Sequence, residues 1–304
     1  MRQTALILGA SGRFGRNAAE AFWNAGWQVR PFDRKTDTLQ NAAKDVQVIV
    51  NGWNPPYTEW AKQVPRLTAQ VIDAARQSGA TVILPGNVYV FGAGSGPILS
   101  EKTPHNATNP LGRIRIELEA AYRDSGVQTI LLRAGDFLDT EASGNWFDKI
   151  IAAKAAQGKI VSPGEPTRPH AWAFLPDLAR AAVDLAEQRN SLGQFEDIPF
   201  PGYTLSINEI ATLIGDATGK AQRVTKMSWL PLYAAAPFWP MGRKLLEMRY
   251  LWSMPHRLDG TRFNALLPRF RPTDPLTALG KAVADFDIHP DKPVAGSKRY
   301  IAAE

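Results

Sequence analysis

Ala5-Leu6-Ile7-Leu8-Gly9-Ala10-Ser11-Gly12-Arg13-Phe14-Gly15 is a short apolar run that ends in three glycines spaced three residues apart. A helical pattern follows, and Gly26 stands where a left-handed residue would end that helix. The stretch therefore predicts a strand, a glycine turn and a helix. Such a turn lets backbone approach a pyrophosphate, and the exposed N–H groups of the helix N-terminus favour the phosphate charge.

The strand before this turn and the helix after it supply the structural context that a dinucleotide site requires. The alternative is an ordinary tight turn between a strand and a helix. Under the first interpretation, the backbone and side chains of the turn contact the cofactor, and these residues are Gly9, Ser11, Gly12, Arg13, Phe14 and Gly15.

The composition is ordinary for a soluble globular protein, with 44% hydrophobic and 21% charged residues in 304. A net charge of +6 could suit nucleic acid, but Lys and Arg are scattered and form no block. We therefore expect a basic enzyme that attracts anionic small molecules, and no nucleic-acid partner.

Cysteine is absent, which excludes disulfides and thiolate chemistry and suits a reducing cytoplasm. The first apolar run is about five residues long and enters the glycine turn directly, so no signal peptide is expected. The four histidines are far apart in the sequence and form no metal-binding pair at helical spacing, so we expect no metal site.

A second strand is predicted for residues 27–32, and it ends at Asp33-Arg34. Asp33 lies 18 residues beyond Gly15, about where an acidic residue binds the adenosine ribose hydroxyls of NAD. Arg34 and Arg13 could instead clamp a 2′-phosphate, which favours NADP. Both cofactors stay open, with a slight preference for NADP, and a solvated turn pair is the alternative for Asp33-Arg34.

A third strand, residues 46–50, is a continuous apolar run of the kind that is buried on both faces of a parallel sheet. It ends in the loop Asn51-Gly52-Trp53-Asn54, and ligands bind at the carboxyl ends of such strands. We expect these four loop residues to face the cofactor. A rigid turn with a packed Trp is the alternative.

Strands and helices alternate up to about residue 138, which predicts a parallel sheet with right-handed crossovers. The expected fold is α/β, a Rossmann-like doubly wound parallel sheet with a smaller C-terminal substrate lobe. Residues 1–138, with 170–200 returning to them, form the expected dinucleotide-binding domain. Residues 139–169 and 201–304 form the expected substrate-binding lobe.

These landmarks, in this order, resemble the extended short-chain dehydrogenases/reductases, the NAD-dependent epimerase/dehydratase group. The resemblance covers nearly the whole chain and includes atypical members of that family. It rests on the glycine turn and on four further segments, namely Val90-Phe91-Gly92, Arg133-Ala134-Gly135-Asp136-Phe137, Phe174-Leu175-Pro176-Asp177-Leu178-Ala179 and Pro272-Thr273-Asp274-Pro275-Leu276.

The catalytic signature that the resemblance implies is altered in this chain. Family members carry Tyr-Gly-x-x-Lys on one helix, where the Tyr moves a proton and the Lys holds the nicotinamide ribose. With Gly112 and Glu119 as anchors, Leu111 takes the Tyr position and Arg115 the Lys position. The family's Ser/Thr position is Asn87. Leucine cannot transfer a proton, whereas Arg115 can still donate to a ribose and Asn87 to a carbonyl.

A replacement proton donor would have to lie near the nicotinamide. Tyr89 follows Asn87 by two residues, and its phenol suits the role if a nearby cation lowers its pKa. Tyr57 and Asp136 are further candidates, and Gly135 is expected at the cofactor. A packed aromatic is the alternative for Tyr89.

Two functions fit these observations. The first is an NAD(P)-dependent oxidoreductase or epimerase/dehydratase-like enzyme acting on a small, apolar or aromatic carbonyl or alcohol. The second, which the missing Tyr motivates, is a non-catalytic NAD(P)-binding sensor or assembly protein. A homodimer stays open in either case.

Residues 228–256 are rich in Trp, Tyr and Met. We expect them to cap the substrate cleft and to form part of the lobe's core. Contact with a membrane surface or with a partner protein is the alternative, although prolines and Arg243 exclude a bilayer-spanning helix.

Overall fold

The computed structural model describes residues 2–289, so the end of the expected lobe, residues 290–304, lies outside the described part. The strands are β1 (Thr4–Leu8), β2 (Gln28–Pro31), β3 (Val48–Asn51), β4 (Thr81–Gly86), β5 (Ile98–Leu99), β6 (Thr129–Arg133), β7 (Asp136–Leu138), β8 (Lys159–Ser162), β9 (His170–Phe174), β10 (Phe195–Pro199), β11 (Tyr203–Leu205), β12 (Arg223–Lys226) and β13 (Arg257–Leu258). The helices are α1 (Arg13–Asn24), α2 (Leu39–Ala42), α3 (Trp60–Ser78), α4 (Pro110–Asp124), α5 (Leu175–Glu187), α6 (Ile207–Thr218), α7 (Leu230–Ala235), α8 (Pro240–Glu247), α9 (Thr261–Leu266) and α10 (Pro275–Ala282).

A six-stranded sheet with the order β10-β6-β4-β3-β1-β2 forms the centre of the molecule, and every neighbouring pair in it is parallel. β1 and β3 are buried along their whole length, as expected of strands covered on both faces. The chain leaves β1 for β2 on one side and later enters β3 on the other. The strand order therefore reverses at β1, and the carboxyl ends of β1 and β3 border the crevice where such sheets bind ligands.

Helices cover both faces of this sheet. α1 and α5 pack against each other on one face, where Phe14, Phe22 and Leu178 share a core with β1 and β6. α3 and α4 pack together on the opposite face, around Trp60 and Tyr122. The predicted doubly wound α/β fold is confirmed.

A second, three-stranded sheet with the order β11-β9-β7 carries a separate core made with α6 and α10. His170–Phe174, which the sequence analysis assigned to the central domain, forms β9 of this second sheet. β9 pairs with β7 in parallel and with β11 in antiparallel orientation. The return to the central sheet therefore consists of α5 and of β10, which pairs with β6.

Residues 146–157 form no single regular helix. Phe147–Ile151 forms a π-helical turn and Ala155–Gln157 a separate 3₁₀ turn. Phe147, Ile151 and Ala155 are all buried in the core of the second sheet, so the chain follows that core rather than one regular helix face. The capping box predicted at Ser206 and Glu209 is confirmed at the start of α6.

Residues 228–256 split into two parts. The second part is buried, as is Trp229 before α7, but it divides between two cores. Trp229 and Trp252 join the core of the second sheet as expected, whereas Met248, Leu251 and Met254 pack into the α3–α4 face of the central sheet. The first part does not pack as expected, because four large apolar side chains on α7 and between α7 and α8 stand in solvent, namely Leu230, Tyr233, Phe238 and Trp239. Among residues 2–289, no helix combines the length and the apolar character that a membrane span requires.

Candidate active site

The glycine turn joins β1 to α1 at the point where the strand order reverses. Gly9 has a φ of +74°, a left-handed conformation that glycine adopts without strain. The Gly12 N–H donates to the Gly9 carbonyl at 2.8 Å, and α1 begins one residue later. Gly12 has no side chain to cap the helix, so the first N–H groups of α1 keep their capacity to bind an anion.

The glycines around the turn divide into packed and open positions. A Cβ on Gly15 would lie 2.1 Å from the Gly9 carbonyl oxygen, and one on Gly52 would lie 2.8 Å from the Leu8 carbonyl oxygen. These positions bring β1, α1 and the β3 exit together. A Cβ on Gly12 would meet only the Gly9 carbonyl oxygen, at 3.2 Å, and otherwise open space. The geometry fits a pyrophosphate lying over Gly12.

The exits of β2 and β3 meet on one side of this turn. Phe32 and Trp53 pack with ring centroids 5.7 Å apart, and the Arg34 guanidinium lies 5.8 Å from the Trp53 ring centroid. The Asp33 carboxylate accepts the backbone N–H of Lys35 at 2.9 Å. The residues expected at the adenosine ribose are therefore brought together at the crevice.

Arg13 lies elsewhere than the expected phosphate clamp requires. Its guanidinium donates to the carbonyls of Ser143 and Gly144 at 3.0 and 2.8 Å, and it thereby binds the loop after β7 to the start of α1. Arg34 and Arg13 thus contact different segments, and the structure does not form the two-arginine clamp. Arg34 is left as the cation at the β2 exit.

Other residues expected at the cofactor have structural roles. The Asn51 amide donates to the Tyr122 hydroxyl at 3.0 Å and accepts the Trp53 N–H at 3.2 Å, so both ends of this buried amide are occupied. The Phe14 side chain is buried in the core. A Cβ on Gly135 would lie 2.1 Å from the Ala171 carbonyl oxygen, so this glycine serves backbone packing.

Ser11 and Asn54 are exposed at the crevice side of their loops. Neither side chain has a hydrogen-bond partner within residues 2–289, so both keep polar groups for a ligand.

On the reaction side of the sheet, Asn87 is fixed at the β4 exit. Its side-chain oxygen accepts the Tyr89 N–H at 3.0 Å, and its backbone carbonyl accepts from the Arg133 guanidinium at 2.6 Å. The amide nitrogen of Asn87 has no partner in the described part of the chain. It can therefore donate to a substrate oxygen, as expected.

Tyr89 and Tyr57 form a hydroxyl pair with 2.6 Å between the two oxygens. Trp60 packs against both rings, with its centroid 5.0 Å from Tyr57 and 6.2 Å from Tyr89. Burial raises the pKa of Tyr89 well above its usual range, and the Tyr57 phenol and the Asp136 carboxylate raise it further. The pKa of Tyr89 is therefore raised rather than lowered by a nearby cation, and its phenol keeps its proton at neutral pH.

The two altered signature positions are both buried. Leu111 is fully enclosed in the core of the α3–α4 face, so no catalytic group stands at the family's Tyr position. Arg115 donates to the Pro85 carbonyl at 2.9 Å, and its guanidinium lies 5.8 Å from the Trp60 ring centroid. Its Nε is buried without a partner in the described residues, and burial lowers its pKa.

Arg133 is a positioning residue whose role the sequence did not show. This fully buried guanidinium donates to Glu119 on α4 at 2.7 Å and to Asp197 on β10 at 2.5 Å. It also holds the Asn87 carbonyl, so it connects β6, α4 and β10 to the β4 exit. His105, Glu119 and Asp197 could group around a metal ion, but Arg133 already bonds to both carboxylates.

A cluster of buried histidines at the start of β9 was also missed. His170 Nε2 lies 2.6 Å from the Asp136 carboxylate, because β7 and β9 are parallel neighbours. Its ring stacks on Trp252 with centroids 4.5 Å apart, and His256 meets it edge-on at 4.3 Å. The only sequence signal was that His170 opens a buried strand; the spacing from Asp136 gave no hint of contact.

His256 carries an unused acceptor. Its Nδ1 lies 2.9 Å from the Met254 carbonyl oxygen, so that nitrogen carries the proton, and its buried Nε2 has no partner in the described residues. Burial and the neighbouring His170 lower the pKa of His256 to about 3. The ring is therefore neutral at physiological pH.

Several solved structures share this fold over nearly the whole chain. UDP-glucose 4-epimerase from Brucella ovis in complex with NAD is 17% identical, with a TM-score of 0.71 over 94% of this chain and 98% of that one. MoeE5 in complex with UDP-glucose and NAD is 16% identical, with a TM-score of 0.71 over 92% of this chain and 97% of that one.

The GalE-like L-threonine dehydrogenase from Cupriavidus necator, in its apo form, is 16% identical, with a TM-score of 0.72 over 94% of this chain and 100% of that one. At these identities the likeness shows the fold alone, and it agrees with the Rossmann-like doubly wound α/β fold that the sequence predicted. No protein-family model matches the sequence, and no curated protein matches it.

Proposed function

We propose that the chain is a nicotinamide-dinucleotide-dependent oxidoreductase or epimerase-like enzyme that acts in the cytoplasm on a small carbonyl or alcohol. The observation that carries the proposal is the glycine turn at the point where the strand order reverses. Backbone packs closely against Gly15 and Gly52, whereas the space over Gly12 is free for a ligand. Solved neighbours in complex with NAD support the cofactor class.

The cofactor would lie along the carboxyl edge of the sheet. The N–H groups at the start of α1 would bind the pyrophosphate, and Asp33 or Arg34 would meet the adenosine ribose. A bound nicotinamide supplies hydride transfer. The choice between NAD and NADP depends on Arg34, since Arg13 is held by the Ser143–Gly144 carbonyls.

The proton chemistry would use the tyrosine pair in place of the missing Tyr. In carbonyl reduction, the Asn87 amide holds the substrate oxygen and the Tyr89 hydroxyl gives that oxygen its proton. Tyr57 then donates to the Tyr89 phenolate through the 2.6 Å contact. The raised pKa keeps the Tyr89 hydroxyl protonated at neutral pH, which is the state that a proton donor needs. Solvent then returns a proton to Tyr57.

Asp136, hydrogen bonded to His170, is the competing donor at the same edge. The Tyr57, Trp60 and Tyr89 rings, with Trp252 beyond His170, support an apolar or aromatic substrate. We also propose that residues 139–169 and 201–289 form the lobe that holds it.

Calorimetric titration with NAD, NADH, NADP and NADPH tests the cofactor proposal directly. Arg34→Gln should weaken NADP binding by about 1.5–3 kcal/mol and NAD binding far less, if a 2′-phosphate lies there. Arg223→Gln, an exposed arginine on β12, is the matched control. Failure to bind any of the four dinucleotides would exclude the proposal.

A screen of carbonyl substrates, including UDP-sugars and threonine-derived ketones, then tests turnover. One observation favours a second candidate, a dinucleotide sensor without turnover: a buried leucine fills the family's Tyr position. Tight cofactor binding with no hydride transfer across the panel would support the sensor.

A further inference from the structure

The four exposed apolar side chains noted above lie on α7 and on its connection to α8, within the segment here named the α7–α8 hairpin (residues 230–247). The exposed fractions are 92% for Phe238, 77% for Leu230, 49% for Tyr233 and 44% for Trp239. The three other large apolar side chains that are comparably exposed in residues 2–289 are scattered over α1, β5 and α10. A concentration of this kind marks an interaction surface.

Basic residues outnumber acidic ones around the hairpin, and its one carboxylate, Glu247 at the end of α8, pairs with Lys244 at 3.1 Å. Residues 217–246 contain five basic and no acidic residues, namely Lys220, Arg223, Lys226, Arg243 and Lys244. Arg243 donates to the Ala236 and Pro237 carbonyls at 3.2 and 3.1 Å, which places a cation beside the exposed Phe238. Arg249 donates to the Tyr233 hydroxyl at 2.8 Å. Neither arginine has a carboxylate partner in the described residues.

A cavity of about 290 Å³ opens at the base of α7. Three cations line it, Arg168, Lys226 and Arg249, against the single carboxylate of Glu165. Glu165 pairs with Lys226 at 2.6 Å, so two arginines stay uncompensated there. The cavity therefore suits an anionic head group.

We propose that the α7–α8 hairpin docks on an anionic lipid membrane. Phe238 and Leu230 would enter the acyl boundary, while Trp239 and Tyr233 would lie at head-group level, where such rings concentrate. Arg243 would bind lipid phosphates at the surface, as basic residues of interfacial helices do.

The surface lies beside the candidate active site. α8 packs against the helical turn Tyr57–Glu59, which carries one hydroxyl of the tyrosine pair. At the end of α8, Glu247 accepts the Leu111 N–H at 2.5 Å and the Asn109 amide at 3.1 Å. A docked protein would therefore open its reaction side near the lipid surface.

Co-sedimentation of the full chain with phosphatidylcholine vesicles, with and without phosphatidylglycerol, at physiological salt tests the proposal. Binding should require phosphatidylglycerol. Phe238→Ala should weaken it about tenfold or more, because one aromatic side chain leaves the acyl boundary. Arg243→Gln should weaken it about fivefold. Trp23→Ala, which removes an exposed aromatic from α1, is the matched control and should bind normally.

Absence of binding to either vesicle, or an equal loss with Trp23→Ala, overturns the proposal. So does a dimer that Phe238→Ala dissociates without any vesicle binding, since the surface then belongs to a second copy. Thermal melting checks that the variants fold. Dinucleotide titration of the same variants should be unchanged, so this proposal and the proposed function can fail separately.

Discussion

The glycine turn and the β4 exit lie at the same edge of the sheet, yet they differ in how much of the expected site they keep. The turn presents backbone N–H groups, and Gly15 and Gly52 lie where close packing leaves no room for a side chain. The β4 exit acts through side chains, and its expected proton donor is replaced by a buried Leu111. A binding cradle made of backbone groups can therefore be kept while the catalytic side chains beside it are replaced.

The largest effect on stability is expected at the β4 exit, which depends on the buried guanidinium of Arg133. Arg133→Leu leaves Glu119 and Asp197 buried without their cation, so it should lower the free energy of unfolding by about 3–5 kcal/mol. Urea denaturation measures this. Arg262→Leu, which breaks a half-exposed pair with Glu196, should cost about 0–1 kcal/mol. Equal losses would show that Arg133 does not organise the β4 exit.

The next test concerns the proton donor itself. Tyr89→Phe removes one hydroxyl and little volume, so turnover should fall about 10²–10⁴-fold with unchanged cofactor affinity. Tyr57→Phe should reduce turnover less, because its hydroxyl acts through Tyr89. Steady-state kinetics with the best carbonyl substrate measures both. If Asp136→Asn removes turnover and Tyr89→Phe does not, the acid is the carboxylate beside His170.

Two glycines of the turn should separate folding from binding. Gly15→Ala places a Cβ 2.1 Å from the Gly9 carbonyl oxygen and should cost about 3 kcal/mol of stability. Gly12→Val should melt almost normally but lose most of its dinucleotide affinity, because the branched side chain fills the cradle. Calorimetry and thermal melting measure the pair. Unchanged dinucleotide affinity in a folded Gly12→Val protein would show that the turn only connects β1 to α1 and binds no pyrophosphate.

The effect that is smallest at neutral pH is an acid dependence of stability that arises from His256. Its folded pKa of about 3 lies below the ordinary value near 6.5, so the unfolded chain binds the extra proton between these values. Stability from the neutral ring is complete above about pH 6.5 and is lost as pH falls, by up to about 1.4 kcal/mol per pH unit. His256→Gln should flatten this acid limb in denaturation measured from pH 7 to 4, whereas exposed His289→Gln should not.

Local pattern predicted the parts of the fold that depend on local chemistry. The glycine turn, the buried strands and the Ser206 capping box were all visible as short motifs with a physical cause. Topology determined the rest. Asp136 and His170 are 34 residues apart and meet only because β7 and β9 pair, and no spacing rule announces such a contact.

The sequence also did not show which polar residues at the carboxyl edge of the sheet are free to bind a ligand. Asn51 and Arg13 looked like ligand groups from their loops, but a phenol on α4 and two carbonyls after β7 already satisfy them. Buried polar groups take the nearest partners that the fold supplies, and the sequence does not name those partners.

Glu247 connects the α7–α8 hairpin to α4, the helix beside the candidate active site. It is the only carboxylate bonded to the opening turn of α4 among residues 2–289, and that helix carries Arg115 and Glu119. Its negative charge stabilises the positive end of the α4 dipole. A displacement of α8 would therefore shift α4 and, with it, Arg115. By thermodynamic reciprocity, a ligand that shifts α4 changes the affinity of the hairpin for its surface by the same factor.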